Sequence, residues 1–213
     1  SLYTDLSADG TANCYLIQAA GNYKFKAVMG NTDLSVGNVK KTEVLWESFG
    51  TDVAPNVGDL VTGVGYKNGY VYFSTPETFA NGNASIAVRN SKDVILWSWH
   101  IWLTDQPEGQ VYYNNAGTMM DRNLGATASP DRVATPTQNE WTQARGFYYQ
   151  WGRKDPFTGP LDIDAADGHR GGVGLGAMDK NGNLMYGSNA GGDAYVKIVN
   201  EYTLGLANIL SSP

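Results

Sequence analysis

Apolar and polar positions alternate with a period of two through much of the first half of this chain. Tyr23, Phe25 and Ala27 alternate with Lys24, Lys26 and Val28, the pattern of a half-buried strand. A strand over 15–19 precedes it. The Ala20-Gly21-Asn22 turn between them has Gly and Asn to supply positive φ. Val44-Leu45-Trp46 predicts a further strand. Runs over 59–66 and 70–74 flank Lys67-Asn68-Gly69, and Asn-Gly between apolar runs is the strongest short-range hairpin signal. Strands over 83–89 and 94–103 follow, separated by Asn90-Ser91-Lys92-Asp93. Seven or so short strands in about 105 residues predict a mainly β fold, an immunoglobulin-like β-sandwich over residues 1–105.

The pattern changes after Asp105. Gln106-Pro107-Glu108-Gly109 is a cluster of breakers and marks the expected boundary. Residues 106–213 predict a loop-rich, Gly-rich second domain, β or α+β. Gly168 to Gly176 holds five glycines, and Asp179-Lys180-Asn181-Gly182-Asn183 is a hairpin-like turn. Residues 137–149 have room for a short helix, with Thr137 as N-cap and Glu140 at N3 as a capping box. The tail over 194–210 is apolar and fits strand or helix.

Composition narrows the function. Gly 26, Tyr 13 and Trp 6 accompany only 17% charged residues, which favours strands and turns. The net charge of −6 opposes nucleic-acid binding, which needs a basic patch, and docking on anionic membranes. No run approaches the ~18 apolar residues of a spanning helix. The lone Cys14 excludes an intrachain disulfide. It lies within a strand-like segment and reads as a small buried hydrophobe. Residues 1–13 are polar, so Cys14 is not a lipid-attachment cysteine.

Candidate chemistry is sparse. On the strand around Ile95 to Trp102, alternation puts Trp97, Trp99 and Ile101 on one face and Ser98, His100 and Trp102 on the other. Trp97 and Trp99 are expected in the core. Trp102, on the more polar face, is the better candidate for stacking on a sugar ring. His100 and His169 are the only histidines. No Gly-x-Ser-x-Gly elbow, His-Glu-x-x-His or Cys-x-x-Cys pattern accompanies them, and a Cys-His pair would have to use Cys14. No catalytic residues are assigned, and the chain is expected not to be an enzyme. Asp162, Asp164 and Asp167 before Gly168 resemble a calcium loop. Their spacing is not that of an EF-hand, so at most weak calcium binding is expected, with no other cofactor. Asp121-Arg122-Asn123 and Arg153-Lys154-Asp155 predict local ion pairs. Arg153 and Asp155 beside Trp151 also form a candidate sugar site, because polar forks with an aromatic face suit carbohydrate.

Several segments resemble surface proteins of the Bacteroidales. They are Ala12-Asn13-Cys14-Tyr15, Ile95-Leu96-Trp97-Ser98-Trp99-His100-Ile101-Trp102, Met119-Met120-Asp121-Arg122-Asn123-Leu124-Gly125-Ala126, and the run from Phe147-Tyr148-Tyr149-Gln150-Trp151-Gly152 through Arg153-Lys154-Asp155-Pro156-Phe157. Together they span roughly 10–160. The chain resembles fimbrillin-related adhesins and tip or accessory pilins, and its later segments resemble the start of a Fibrobacter-type major paralogous domain. In similar chains the last segment leads into a longer, cysteine-containing module. Those cysteines are missing here, so the second domain is expected to be truncated or divergent.

The resemblance implies a non-catalytic adhesion or fimbrial protein at the cell surface or outer membrane. Its partners would be other pilin-like subunits or host glycans, with strand addition at an open sheet edge as the mode of assembly. The alternatives are a carbohydrate-binding module of a polysaccharide-degrading system, which exposed Trp or Tyr in a row would favour, and a glycoside hydrolase built on paired carboxylates.

Overall fold

The computed structural model describes residues 2–51, 53–129, 138–147, 149, 154–156 and 177–182. The protein is mainly β. Two sheets carry the core. The first, of four strands, has the order β1 (Thr4–Asp5), β3 (Asn22–Lys26), β6 (Tyr70–Ser74), β5 (Gly63–Lys67). The second, of five strands, runs β11 (Ala177–Asp179), β4 (Lys41–Ser48), β7 (Gly82–Arg89), β8 (Ile95–Leu103), β2 (Cys14–Ile17). A separate hairpin pairs β9 (Gly109–Val111) with β10 (Thr118–Met120). The helix α1 spans Gln138–Arg145. No helix among the described residues is long and apolar enough to cross a membrane.

The Asn68-Gly69 turn forms as its sequence demands. Asn68 and Gly69 take φ of 51° and 81°, the left-handed pair of a two-residue hairpin, and Lys67 pairs with Tyr70 beside it. The loop between β7 and β8 also turns on its predicted residues. Asn90 Oδ1 accepts from the amides of Lys92 and Val94, so one side chain satisfies two turn donors. The Ala20-Gly21-Asn22 turn works differently. The strands it joins do not pair: β2 runs parallel to β8, while β3 pairs with β6. The turn carries the chain from one sheet to the other.

Period-two alternation decides which residues meet between the sheets. Phe25 and Phe73 from the four-stranded sheet pack with Trp99, Ile101 and Ile86 from the five-stranded sheet. Phe25 lies 5.0 Å from Trp99 and 4.8 Å from Tyr15, ring centroid to centroid. Trp97 and Trp99 are buried in this core, at 6% and 1% exposure. Burying aromatics of this size contributes about 2–3 kcal/mol each.

One relationship runs across the expected boundary near 105–106. After leaving β8 the chain returns to the same sheet, where β11 adds an edge strand beside β4, Asp179 opposite Trp46. Parts of 122–129, 144–147 and 154–155 lie against the outer face of this sheet, so β7 and β8 are buried almost throughout. A sheet covered on both faces has no exposed row of side chains. The helix that contributes to this cover begins one residue after Thr137, the expected N-cap, which itself lies outside the described residues. It ends at Gly146, whose φ is +68° and where a Cβ would come within 2.5 Å of Leu124 O.

Candidate functional site

Two groups of chemistry-bearing side chains stand out, one covered and one open. The covered group crosses three strands of the five-stranded sheet. Cys14 on β2 is opposite His100 on β8, which is opposite Ser85 on β7, two residues from Asn83. Cys14 Sγ lies 3.3 Å from His100 Nδ1, and His100 Nε2 lies 2.8 Å from Asn83 Oδ1. Asn83 Nδ2 donates to Gly125 O at 2.9 Å. That last bond turns the amide oxygen toward the imidazole, so Nε2–H is the donor and Nδ1 accepts from the thiol. A thiol, an imidazole and an amide in series are also what a cysteine nucleophile uses. Here the electrostatics oppose that use. Burial pushes the Cys14 thiol up to about 12. Burial, only partly opposed by Asp155, pushes His100 down to about 3. Both groups are neutral at pH 7, and a neutral thiol is a weak nucleophile.

The rest of the covered face is a set of closed polar contacts. Asp155 Oδ1 accepts from Ser98 Oγ at 2.5 Å and from Lys154 Nζ at 2.6 Å. Lys154 also sits 4.8 Å over the Trp97 ring. The Arg122 guanidinium, its side chain 1% exposed, forks onto Asp121 at 2.8 Å and Asp105 at 2.5 Å. These bonds tie the cover to the end of β8. The ion pairs expected from the Asp121-Arg122-Asn123 and Arg153-Lys154-Asp155 triplets are therefore present at Arg122 and Lys154.

Trp102 differs from the sequence expectation. It is on the more polar face, as alternation requires, but that face is covered. The residue is 3% exposed and its indole N–H donates to Ala126 O at 3.0 Å. No ring face is left for a sugar. Asp155 is likewise buried, at 5%, and engaged with Ser98 and Lys154. Trp151, Arg153, Asp162, Asp164 and Asp167 lie outside the described residues. Among the described residues no group of three His, Cys, Asp or Glu is placed to hold a metal ion.

The open group is on the outer face of the four-stranded sheet. Register aligns three strands there in three rows. Lys26, Tyr70 and Lys67 form one row, Lys24, Tyr72 and Gly65 the next, and Asn22, Ser74 and Gly63 the third. The intervening residues Tyr23, Phe25, Val71 and Phe73 point into the core. Tyr70 and Tyr72 stand 6.4 Å apart at 52°, and Tyr3 meets Tyr72 edge-on at 5.1 Å. Lys24 Nζ lies 4.8 Å over the Tyr70 ring and 3.9 Å from Asp5. Ser74 Oγ donates to Asn22 Oδ1 at 2.6 Å. Beside the tyrosines, a Cβ built on Gly63 or Gly65 would meet nothing within 4 Å. Sequence reading named none of these nine residues as a site. The signals were present as Gly63-x-Gly65, Tyr70-x-Tyr72 and Lys24-x-Lys26, each at strand spacing.

No family model, no curated protein and no solved structure matches this chain.

Proposed function

We propose that this chain is a non-catalytic bacterial cell-surface adhesion protein of fimbrial type. The observation that carries the reading is a contrast between the two sheets. The described thiol–imidazole pair is neutral, with the imidazole buried and the thiol half-buried, whereas the four-stranded sheet turns an ordered Lys/Tyr/Gly surface to solvent.

The edge of that sheet supports partnership with pilin-like subunits. Among the described residues β5 pairs with β6 alone, and an edge strand offers backbone donors and acceptors to an added strand. The resemblance to fimbrillin-related proteins supports an extracellular, outer-membrane address. A second reading, a carbohydrate-binding module, is favoured by Tyr70 and Tyr72 side by side in adjacent rows of the open face.

Bead adhesion tests the lead reading. Beads coated with the purified chain should be retained on immobilised glycoproteins and polysaccharides under flow, above albumin-coated beads. Equal retention of the two coatings on every surface would refute it.

A further inference from the structure

We propose that the outer face of β5 and β6 is a binding site for an anionic polysaccharide, with sugar rings over Gly63 and Gly65 and their acid groups paired with lysines. This deepens the adhesion reading and rests on it.

Three observations converge on that face. The first is its charge. Of the nine residues in the three rows, three are Lys and none is acidic, although the whole chain carries 21 Asp and Glu against 15 Lys and Arg. On β1, Asp5 is the register partner of Lys24, extends its row and offsets that lysine at 3.9 Å, which leaves Lys26 and Lys67 as the positive charge of the face. Lys26 and Lys67 flank Tyr70 on either side in a single row. A local positive field on an acidic protein favours a polyanion at this place and repels it elsewhere.

The second is shape. Glycine weakens a strand, and in a strand interior it often marks close approach by a ligand or another backbone. Gly63 and Gly65 leave bare backbone next to Tyr72 and Ser74, with nothing within 4 Å of either missing Cβ. The two glycines make a floor and the tyrosines a wall.

The third is chemistry. A pyranose presents C–H groups on its faces and hydroxyls on its rim. Tyrosine offers an apolar ring with a polar tip, and Asn22 and Ser74 supply amide and hydroxyl groups at one end of the floor. A uronic acid adds a carboxylate, which suits Lys67 and Lys26. Nucleic acid would also present anions and rings. Single-stranded DNA also carries one charge per unit, so charge does not separate the two. Its bases want open aromatic faces to stack on, whereas Lys24 Nζ lies over the Tyr70 ring and Tyr3 meets Tyr72 edge-on.

The test is calorimetric titration of the full chain with a galacturonate hexamer, a neutral maltohexaose of the same length, and single-stranded DNA of matched charge. The uronate should bind, more weakly as salt rises, and the other two should bind at least about tenfold more weakly. Gly65→Val fills the floor and removes no binding group, and a valine suits a strand. Both Gly65→Val and Tyr72→Ala should lower uronate affinity by about tenfold, with thermal melts showing that each is folded. Undiminished binding in Gly65→Val would overturn the proposal, as would equal binding of maltohexaose or DNA. Self-association of the chain that Gly65→Val abolishes, with no uronate binding, would overturn it in favour of a second copy on this face. Coated beads that adhere equally well with Gly65→Val would refute this site and leave the adhesion reading standing. Failure of the unsubstituted beads to adhere would refute the reading beneath it.

Discussion

Cys14 on β2 and His100 on β8 face each other across a parallel strand pair, thiol to imidazole, at 3.3 Å. The contact has the parts of a nucleophilic site and the electrostatics of a structural one. In the catalytic form the thiol gives its proton to the imidazole and both become charged. Burial disfavours both charges, raising the thiol and lowering the imidazole. The proton stays on sulfur.

Two measurements on this pair follow. A thiol-directed disulfide reagent at pH 7 should label Cys14 slowly in the folded chain and quickly once the chain is unfolded. The pH dependence of stability gives the second. An unfolded His titrates near 6.5 and burial lowers the folded His100 to about 3. Below pH 6.5 the unfolded state therefore takes up a proton that the folded state refuses. Stability should fall as pH drops from 6.5 to 4.5, by up to about 1.4 kcal/mol per unit. Urea midpoints across this window should show the slope, and His100→Gln should reduce it. An unchanged slope in the variant would contradict a neutral, buried His100.

Trp99 is 1% exposed and packs on Phe25 at 5.0 Å. Trp99→Ala should therefore cost about 3–5 kcal/mol, the range for removing a large aromatic from a core. A thermal melt unaffected by the substitution would remove Trp99 from the core.

Glu43 on β4 joins distant parts of the chain through charge. It pairs with Arg89, with Lys41 at 3.1 Å and with Lys180 at 2.7 Å. Burial alone would raise its carboxyl; hydrogen bonds from Lys180, Arg89 and Lys41 outweigh it and hold the group below the usual range. The folded state thus keeps the carboxylate charged at a pH where the unfolded state is protonated. Its contribution is complete above the unfolded value of about 4.3 and is lost as pH falls through the lower folded one. Glu43→Gln should lower the melting temperature at pH 7 and flatten the decline below about pH 4. A variant melting like the parent at pH 7 would show that the three cations contribute nothing net.

Local chemistry was readable in the sequence, and contact between distant segments was not. Asn68-Gly69 announced its hairpin because two adjacent residues supply the backbone angles it needs. The strand run over 70–74 was evident because a half-buried strand leaves a period-two trace. Trp102 shows where that trace stops. Alternation placed it correctly on the polar face, but nothing local reveals that residues 122–129 and 144–147 cover that face. Asn83 and His100 lie on consecutive strands of one hairpin, but Cys14 is 86 residues from His100 in sequence and joins them only in the sheet, so no spacing pattern could supply it. The pairing of β2 with β8 instead of β3 was hidden for the same reason. The Lys/Tyr/Gly rows were half legible: the Asn68-Gly69 turn sets Gly63 and Gly65 beside Ser74 and Tyr72, while the addition of β3 depends on tertiary packing. The hairpin of β9 and β10 left little trace, because Val111 and Met119 are exposed at 79% and 61% and bury no face.

On the function proposed above, this chain holds its ligand without cutting it. Size-exclusion chromatography with light scattering tests both halves of that claim at once, on an acidic polysaccharide incubated overnight with the purified chain. The account predicts a polymer peak that gains protein mass and keeps its original length. A shortened polymer would contradict the account in favour of a hydrolase, the more so if one Asp or Glu substitution restored full length. A polymer peak that carries no protein would contradict the binding itself.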